Sequence, residues 1–389
     1  MLGYLLARAG LDVVVLEKHA DFFRDFRGDT IHPSTLALFD ELGLLSRFLE
    51  LPHHAVRELR MAFGPSQVRI ADFHHLRAPC RFIALMPQWD FLNFVAGQAG
   101  AYPTFSLHMA TEATGLIEEQ GRIVGVRARS DEGELEIRAD LCVAADGRHS
   151  TLRERAGMRV RDLGAPMDVL WFRLARRPDA PDQPLGRFGA GEILIAIDRG
   201  DYWQCGYVIP KGGYEALRMG GLEAFRGRLA RFVPALAREV VALASWDEIK
   251  LLTVKVDRLE RWWRPGLLCI GDAAHAMSPI AGVGVNLAIQ DAVATANEVA
   301  GPLLDAALGD EHLARVQRRR QWPAALTQRL QLLVQNRVIA GVLQEEKQVR
   351  PPLALRLIDR LPLLRRIPAR LIGLGVHPEH IATPDVGTS

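Results

Sequence analysis

Residues 266–292, GLLCIGDAAHAMSPIAGVGVNLAIQDA, limit the folds open to this chain more than any other stretch. Leu267 to Ile270 read as a short strand buried on both faces. Gly271-Asp272 turns the chain, and Pro279, Gly282 and Gly284 then lead into a helix beginning near Asn286. A helix start lined with glycine admits the close approach of a flat ring. It also directs unpaired N–H groups and the positive end of the helix dipole at a developing anion. An ordinary strand–loop–helix connection is the competing reading. The length of the loop, its small and rigid residues and its apolar lining weigh against that reading.

Two other stretches share this grammar. In LCVAADGRHSTLRERAG, residues 141–157, a buried strand ends in Asp146-Gly147 and a helix begins near Ser150. Gly147 permits a tight turn, and Asp146 either holds a ligand group or caps its own turn. The chain opens with MLGYLLARAGLDVVVLEKH: a helix stopped by Gly10, a strand from Val13 to Leu16, and Glu17 at its end. This is the second half of a βαβ unit. Counting back about 20 residues from the acidic residue puts the expected glycine-rich turn before Met1. Upstream sequence is therefore expected to hold an apolar strand and G-x-G-x-x-G, with Met1 an internal start.

Between these stretches lie strands. VRELRMAF and QVRIADF pair around Gly64-Pro65, and GRIVGVRARS forms a hairpin with ELEIRADLCVAA. Alternating strands fill the region from Asp168 to Pro210, and residues 221–243 read as one helix. Everything after about Gly301 reads as helical and basic. From Arg315 to Arg370 there are thirteen Lys or Arg and three acidic residues. That region either lies on an anionic membrane surface or packs on the core with solvated basic faces.

At 389 residues the chain is long enough for two domains, or for one large domain with insertions. Its 49% apolar and 24% charged residues make it globular, and a net charge of +2 points to no nucleic-acid partner. Cys80, Cys142, Cys205 and Cys269 stand too far apart for a metal site or a disulfide framework, which suits a reducing cytoplasm. No apolar run reaches transmembrane length, and the N-terminus lacks the basic segment of a signal peptide.

The motifs IGDAAHAMSPIAGVGVN, AADGRHSTLR and ERWWRPGLL, in this order and at this separation, resemble the flavoprotein monooxygenases of the para-hydroxybenzoate hydroxylase class. The resemblance covers nearly the whole chain. It implies an α/β fold with a Rossmann-like FAD-binding domain, an inserted β-sheet substrate domain and a helical C-terminal region, here without its first βα element. The FAD-binding domain would take residues 1–60, 88–165 and 262–300. The substrate domain would take 61–87 and 166–261, and the helical region 301–389. The implied chemistry is transfer of one oxygen atom from O2 to an organic, aromatic substrate through a C4a-hydroperoxyflavin. NADH or NADPH would be the transient reductant. Glu17 would bind the adenosine ribose, and Arg27 would lie beside the ribityl–pyrophosphate region. Gln88 and Asp272, with Gly271 before it, would contact the ribityl chain. Asp146 would support the cofactor loop. Pro279 and Gly282 would pack near the ring, and Gly284, Val285 and Asn286 would place backbone groups at its pyrimidine edge.

No catalytic residue and no metal ligand is assigned. His275 reads as a brace for its loop, and His32, His74 and His75 stay open. Trp171, Phe172, Gln204 and Tyr207 are candidates for the substrate pocket, with alternation alone unable to separate them. A flavin-dependent halogenase is a rival, but WQCGYVIP shares only the ending of W-x-W-x-I-P and lacks its second tryptophan. A prenyl-lipid reductase and a non-catalytic fragment are the other rivals.

Overall fold

The computed structural model describes residues 1–23, 30–178, 185–345 and 349–387. Helix α1 (Leu2–Arg8) buries Tyr4, Leu5, Leu6 and Ala7, and Gly10 closes it with φ +90°. Strand β1 (Val13–Leu16) follows. Helix α2 (Pro33–Glu41) starts with proline in its first turn, where a missing N–H costs nothing. Strands β2 (Glu58–Phe63) and β3 (Ser66–Asp72) pair antiparallel across the Gly64-Pro65 turn. Helix α3 (Gln88–Ala99) leads to β4 (Phe105–His108), which runs parallel to β1 with Phe105 opposite Val13. An antiparallel meander spans 112–138. Strand β5 (Cys142–Ala144) and the short helix α4 (Thr151–Arg155) follow.

After a short strand at 160–162 come β6 (Met167–Ala175), β7 (Gly186–Gly189), β8 (Glu192–Asp198) and β9 (Tyr202–Pro210). Helix α5 (Leu222–Phe232) and strand β10 (Lys250–Leu252) complete this region. The five strands β6 to β10 join β2 and β3 in one seven-stranded sheet, in the order β10-β6-β9-β8-β7-β2-β3. Side chains alternate between its faces. Leu170, Phe172, Leu174 and Tyr207 pack with Phe225 and Leu229 of α5. Val169, Phe188, Ile193 and Val208 form a separate cluster on the inner face. The helix expected over 221–243 breaks at Val233-Pro234, because proline lacks the N–H and its ring displaces the preceding residue from helical geometry.

Strand β11 (Leu267–Cys269) returns to the first unit and runs parallel to β5, Leu267 opposite Cys142. Among the described residues the β1–β4 pair and the β5–β11 pair share no hydrogen-bonded strand. One apolar core nevertheless joins them, through Leu5, Phe39, Trp262, Leu268 and Val293. Helices α6 (Gly284–Leu304) and α7 (Asp310–Val334) cover that core, and α7 runs into a π-helical turn at Gln335–Ile339. Helices α8 (Leu353–Arg360) and α9 (Pro362–Gly373) lie on β3. The C-terminal region is not helical throughout. Residues 374–387 form an irregular strap that returns to α1, where Arg8 pairs with Asp385 at 3.2 Å.

Candidate functional site

Parallel pairing of β5 with β11 brings their carboxyl ends side by side, where ligands of open α/β sheets bind. The Asp146-Gly147 and Gly271-Asp272 turns emerge there together. Arg148 Nη2 donates to Asp272 Oδ2 at 3.1 Å, so the two motifs meet through one ion pair. Asp146 Oδ2 accepts from the Leu152 N–H at 3.2 Å, and Ser150 Oγ from Arg153 N at 3.0 Å. Asp146 thus caps the start of α4. Beneath them, Arg153 donates to both oxygens of the fully buried Asp257 and to the Ala273 carbonyl at 3.2 Å.

The loop between β11 and α6 is held from three sides. Gly271 has φ +57°, and a Cβ there would stand 2.9 Å from that of Ala288. Gly282 has φ +62°, and its Cβ would fall 2.3 Å from Thr30 Oγ1, which donates to the Gly282 carbonyl at 2.8 Å. The Asn286 side chain turns inward. Its Oδ1 accepts from the His32 N–H at 2.9 Å and from Thr35 Oγ1 at 2.8 Å, and its Nδ2 donates to the Thr30 carbonyl at 3.0 Å. From α7, Gln328 Nε2 donates to the carbonyls of Asp257 and Ala276, and Gln331 Nε2 to those of Ser278 and Ile280.

His275 is buried and its Nε2 stands 2.6 Å from Asp291 Oδ2. The same oxygen accepts from the Gly271 N–H at 3.0 Å. Arg320 Nε donates to Asp291 Oδ1 at 2.9 Å and its Nη1 to Glu379 Oε1 at 3.1 Å. Burial alone would raise the Asp291 pKa. The combined pull of His275 and Arg320 overrides it and holds the carboxyl below its ordinary range. His275 therefore braces the Gly271 turn. His32 is also buried, with Nδ1 on the Ile372 carbonyl at 2.7 Å, whereas His74 and His75 are exposed beside Asp72.

The remaining sequence candidates lie at element ends. Glu17 follows β1, with an oxygen accepting from the His19 N–H at 3.0 Å. Gln88 opens α3, Pro279 precedes a short 3-10 turn, and Gly284 and Val285 open α6. Arg27 lies outside the described residues. Of the four pocket candidates, Phe172 and Tyr207 face α5 on the outer side of the sheet. Gln204 is buried and accepts from Arg199 at 3.0 Å. Trp171 touches the inner-face cluster. Sequence reasoning overlooks Arg153, Asp257, Asp291, Arg320 and the two glutamines. A lone acid in the apolar run NLAIQDA was the signal for Asp291; the glutamines on a polar helix gave none.

Two observations test whether these residues suit a flat, anionic dinucleotide. Arg148 Nη1 is buried with no hydrogen-bond partner among the described residues, a cationic donor left over beside Asp272. A Cβ at Gly284 would meet nothing nearer than Met277 Cβ at 3.8 Å. Protein packing does not require that glycine, while close approach of a ring to the first turn of α6 would. The residues fit the group.

Comparison with known proteins agrees. Residues 1–330 match the model of the FAD binding domain family. The 6-methylpretetramide 4-monooxygenase of Streptomyces rimosus is 32% identical over 372 residues, 95% of this chain and 88% of that protein. The structure is similar to PqsL of Pseudomonas aeruginosa, with TM-score 0.71 and 25% identity over 88% of this chain and 93% of that one. It shares its fold with the anhydrotetracycline hydroxylase OxyS of Streptomyces rimosus, with TM-score 0.73 and 24% identity over 97% of this chain and 74% of that one. The chain belongs to the FAD binding domain family and is an FAD-dependent monooxygenase of the para-hydroxybenzoate hydroxylase class.

Proposed function

We propose that this monooxygenase hydroxylates an electron-rich aromatic substrate seated between the 278–284 loop and the inner face of the seven-stranded sheet. Ile280 carries the reading. It packs into the cluster of Phe63, Val169, Phe188 and Val208, so the loop expected at the ring edge meets the apolar sheet face. Bound FAD, reduced by NAD(P)H, supplies the activation of dioxygen. Glu17 accepts hydrogen bonds from the adenosine ribose. Asp272, with Gly271 turning the chain behind it, accepts from the ribityl chain, and Gln88 contacts that chain from α3. Asp146 keeps its turn in place. The N–H groups of Gly284, Val285 and Asn286 stabilise negative charge at the pyrimidine edge. Gly282 and Pro279 fix the loop, and the apolar sheet face excludes water from the reacting atoms. Four cysteines, all free and buried, support a cytoplasmic setting. No helix among the described residues is long and apolar enough to cross a membrane.

Two measurements test this reading. Nicotinamide consumption is followed against a panel of phenols, and product mass is read after turnover under labelled dioxygen. One labelled oxygen atom in the product supports it. A product reduced or halogenated without oxygen moves the chain to a rival chemistry. In parallel, Asp272→Ala should weaken FAD retention about tenfold to a hundredfold, the worth of a charge-assisted hydrogen bond. His275→Gln should lower Tm and leave FAD affinity nearer to wild type. Equal flavin loss in both variants at matched folding counts against the assignment of Asp272.

A further inference from the structure

The two last helices carry the same pattern twice. Leu353, Arg356, Leu357, Arg360 and Leu361 recur ten positions later as Leu363, Arg366, Ile367, Arg370 and Leu371. Spacings of three and four put each set on one helical face, with Leu361 just past the end of α8. Both faces are open to solvent: Leu353 is 78% exposed, Leu363 68%, Ile367 58% and Leu357 52%. The four arginines are exposed as well.

The opposite faces do the packing. On α9 the buried residues are Arg365, Ala369 and Gly373, and a Cβ at Gly373 would fall 2.8 Å from Leu76. On α8, Leu355 joins the inner-face cluster, and Asp359 Oδ1 accepts from the Arg69 N–H of β3 at 2.9 Å. Asp359 is the only acid in the two helices, and it is turned inward. Apart from Ala354 and Pro362, the outward face therefore holds only leucine, isoleucine and arginine. A helix pair that leaves this many large apolar side chains open to solvent departs from the ordinary surface pattern. Exposed apolar patches of this kind mark interaction sites.

We propose that α8 and α9 form a docking face for an anionic lipid surface. The helices have 8 and 12 residues, too few to span a bilayer, so they would lie in its plane. The leucines enter the acyl boundary, and the arginines reach up to the headgroups along their apolar stems. Charge decides between a bilayer and a second copy of the chain. Two such faces brought together would set arginine against arginine with no carboxylate between them, whereas acidic headgroups neutralise every guanidinium. The face would bring the enzyme to the phase in which apolar aromatic compounds dissolve.

Vesicle flotation tests this with the FAD-loaded protein, on phosphatidylcholine alone and on an equal mixture of phosphatidylcholine and phosphatidylglycerol. The protein should float with the mixed vesicles only, and less at high salt. Arg356→Ala and Arg366→Ala should each weaken binding about fivefold, the worth of one basic residue near an anionic surface. Leu357→Glu with Ile367→Glu should abolish it, with Tm and FAD content unchanged because both side chains are exposed. Wild-type protein that stays with neither vesicle overturns the proposal, as does undiminished flotation of the double glutamate variant. Self-association through this face, lost in that variant and without vesicle binding, overturns it too and gives the face to a second copy.

Discussion

His32 shows how far a single buried side chain governs the response of this fold to acid. Burial pushes its pKa from 6.5 down to about 4, against the weaker opposing pull of the Ile372 carbonyl. Above 6.5 the imidazole is neutral in both folded and unfolded chains. Between 6.5 and 4 the unfolded chain takes up a proton that the folded chain refuses. Stability from this residue is therefore full above the upper value and declines as pH falls towards the lower one, by about 3 kcal/mol in total. Urea denaturation across that range should show the slope, and His32→Gln should flatten it. A slope unchanged in the variant means that other groups set the acid response. Asp291 acts at lower pH, since its carboxyl is held below the ordinary range. Its contribution is present above the unfolded value and is lost only in stronger acid.

At the scale of elements, the loop before α6 depends on two consecutive residues with left-handed backbone, Ala281 and Gly282, both at φ +62°. Gly282→Ala should cost about 1–3 kcal/mol, from backbone strain and from the clash with Thr30 Oγ1. Thr30→Ala removes the atoms that clash hardest but not the strain, so the double variant should recover part of the loss in Tm. Full additivity would show that the two residues do not press on each other. The same loop marks the limit of sequence reading. Its strand, its turn and its helix were legible because apolar run, glycine and helical period are local signals. The Asp146 and Asp272 turns could be paired by order alone, since parallel strands align their ends. What holds the loop was not legible: Asn286 reaches Thr30 and His32 across more than 250 residues, and no local period encodes such a contact. The break at Pro234 was written in the sequence, and the apolar residues beyond it masked it.

The whole molecule is closed by its C-terminal strap. Glu379 is buried and pairs with Arg319 and Arg320, and Arg320 passes the contact to Asp291 and so to the Gly271 turn. Glu379→Gln leaves a fully buried guanidinium short of charge, and should cost about 3–5 kcal/mol of stability by chemical denaturation. Asp291→Asn should cost a similar amount, and the two together less than their sum, because they share Arg320. Additive losses would mean that the strap and the turn are held independently. The grip of α7 on the other end of the loop has a different character. Gln328 and Gln331 take hold of main-chain carbonyls, so neither bond depends on the side chains at 280 and 281. The side chain at position 280 can change in size and shape while the backbone beneath it stays in register, whereas position 281, at φ +62°, favours small residues. If the substrate sits where proposed, a lineage of such enzymes, or a laboratory library, can remodel the wall of the reaction chamber at position 280 without loosening its frame.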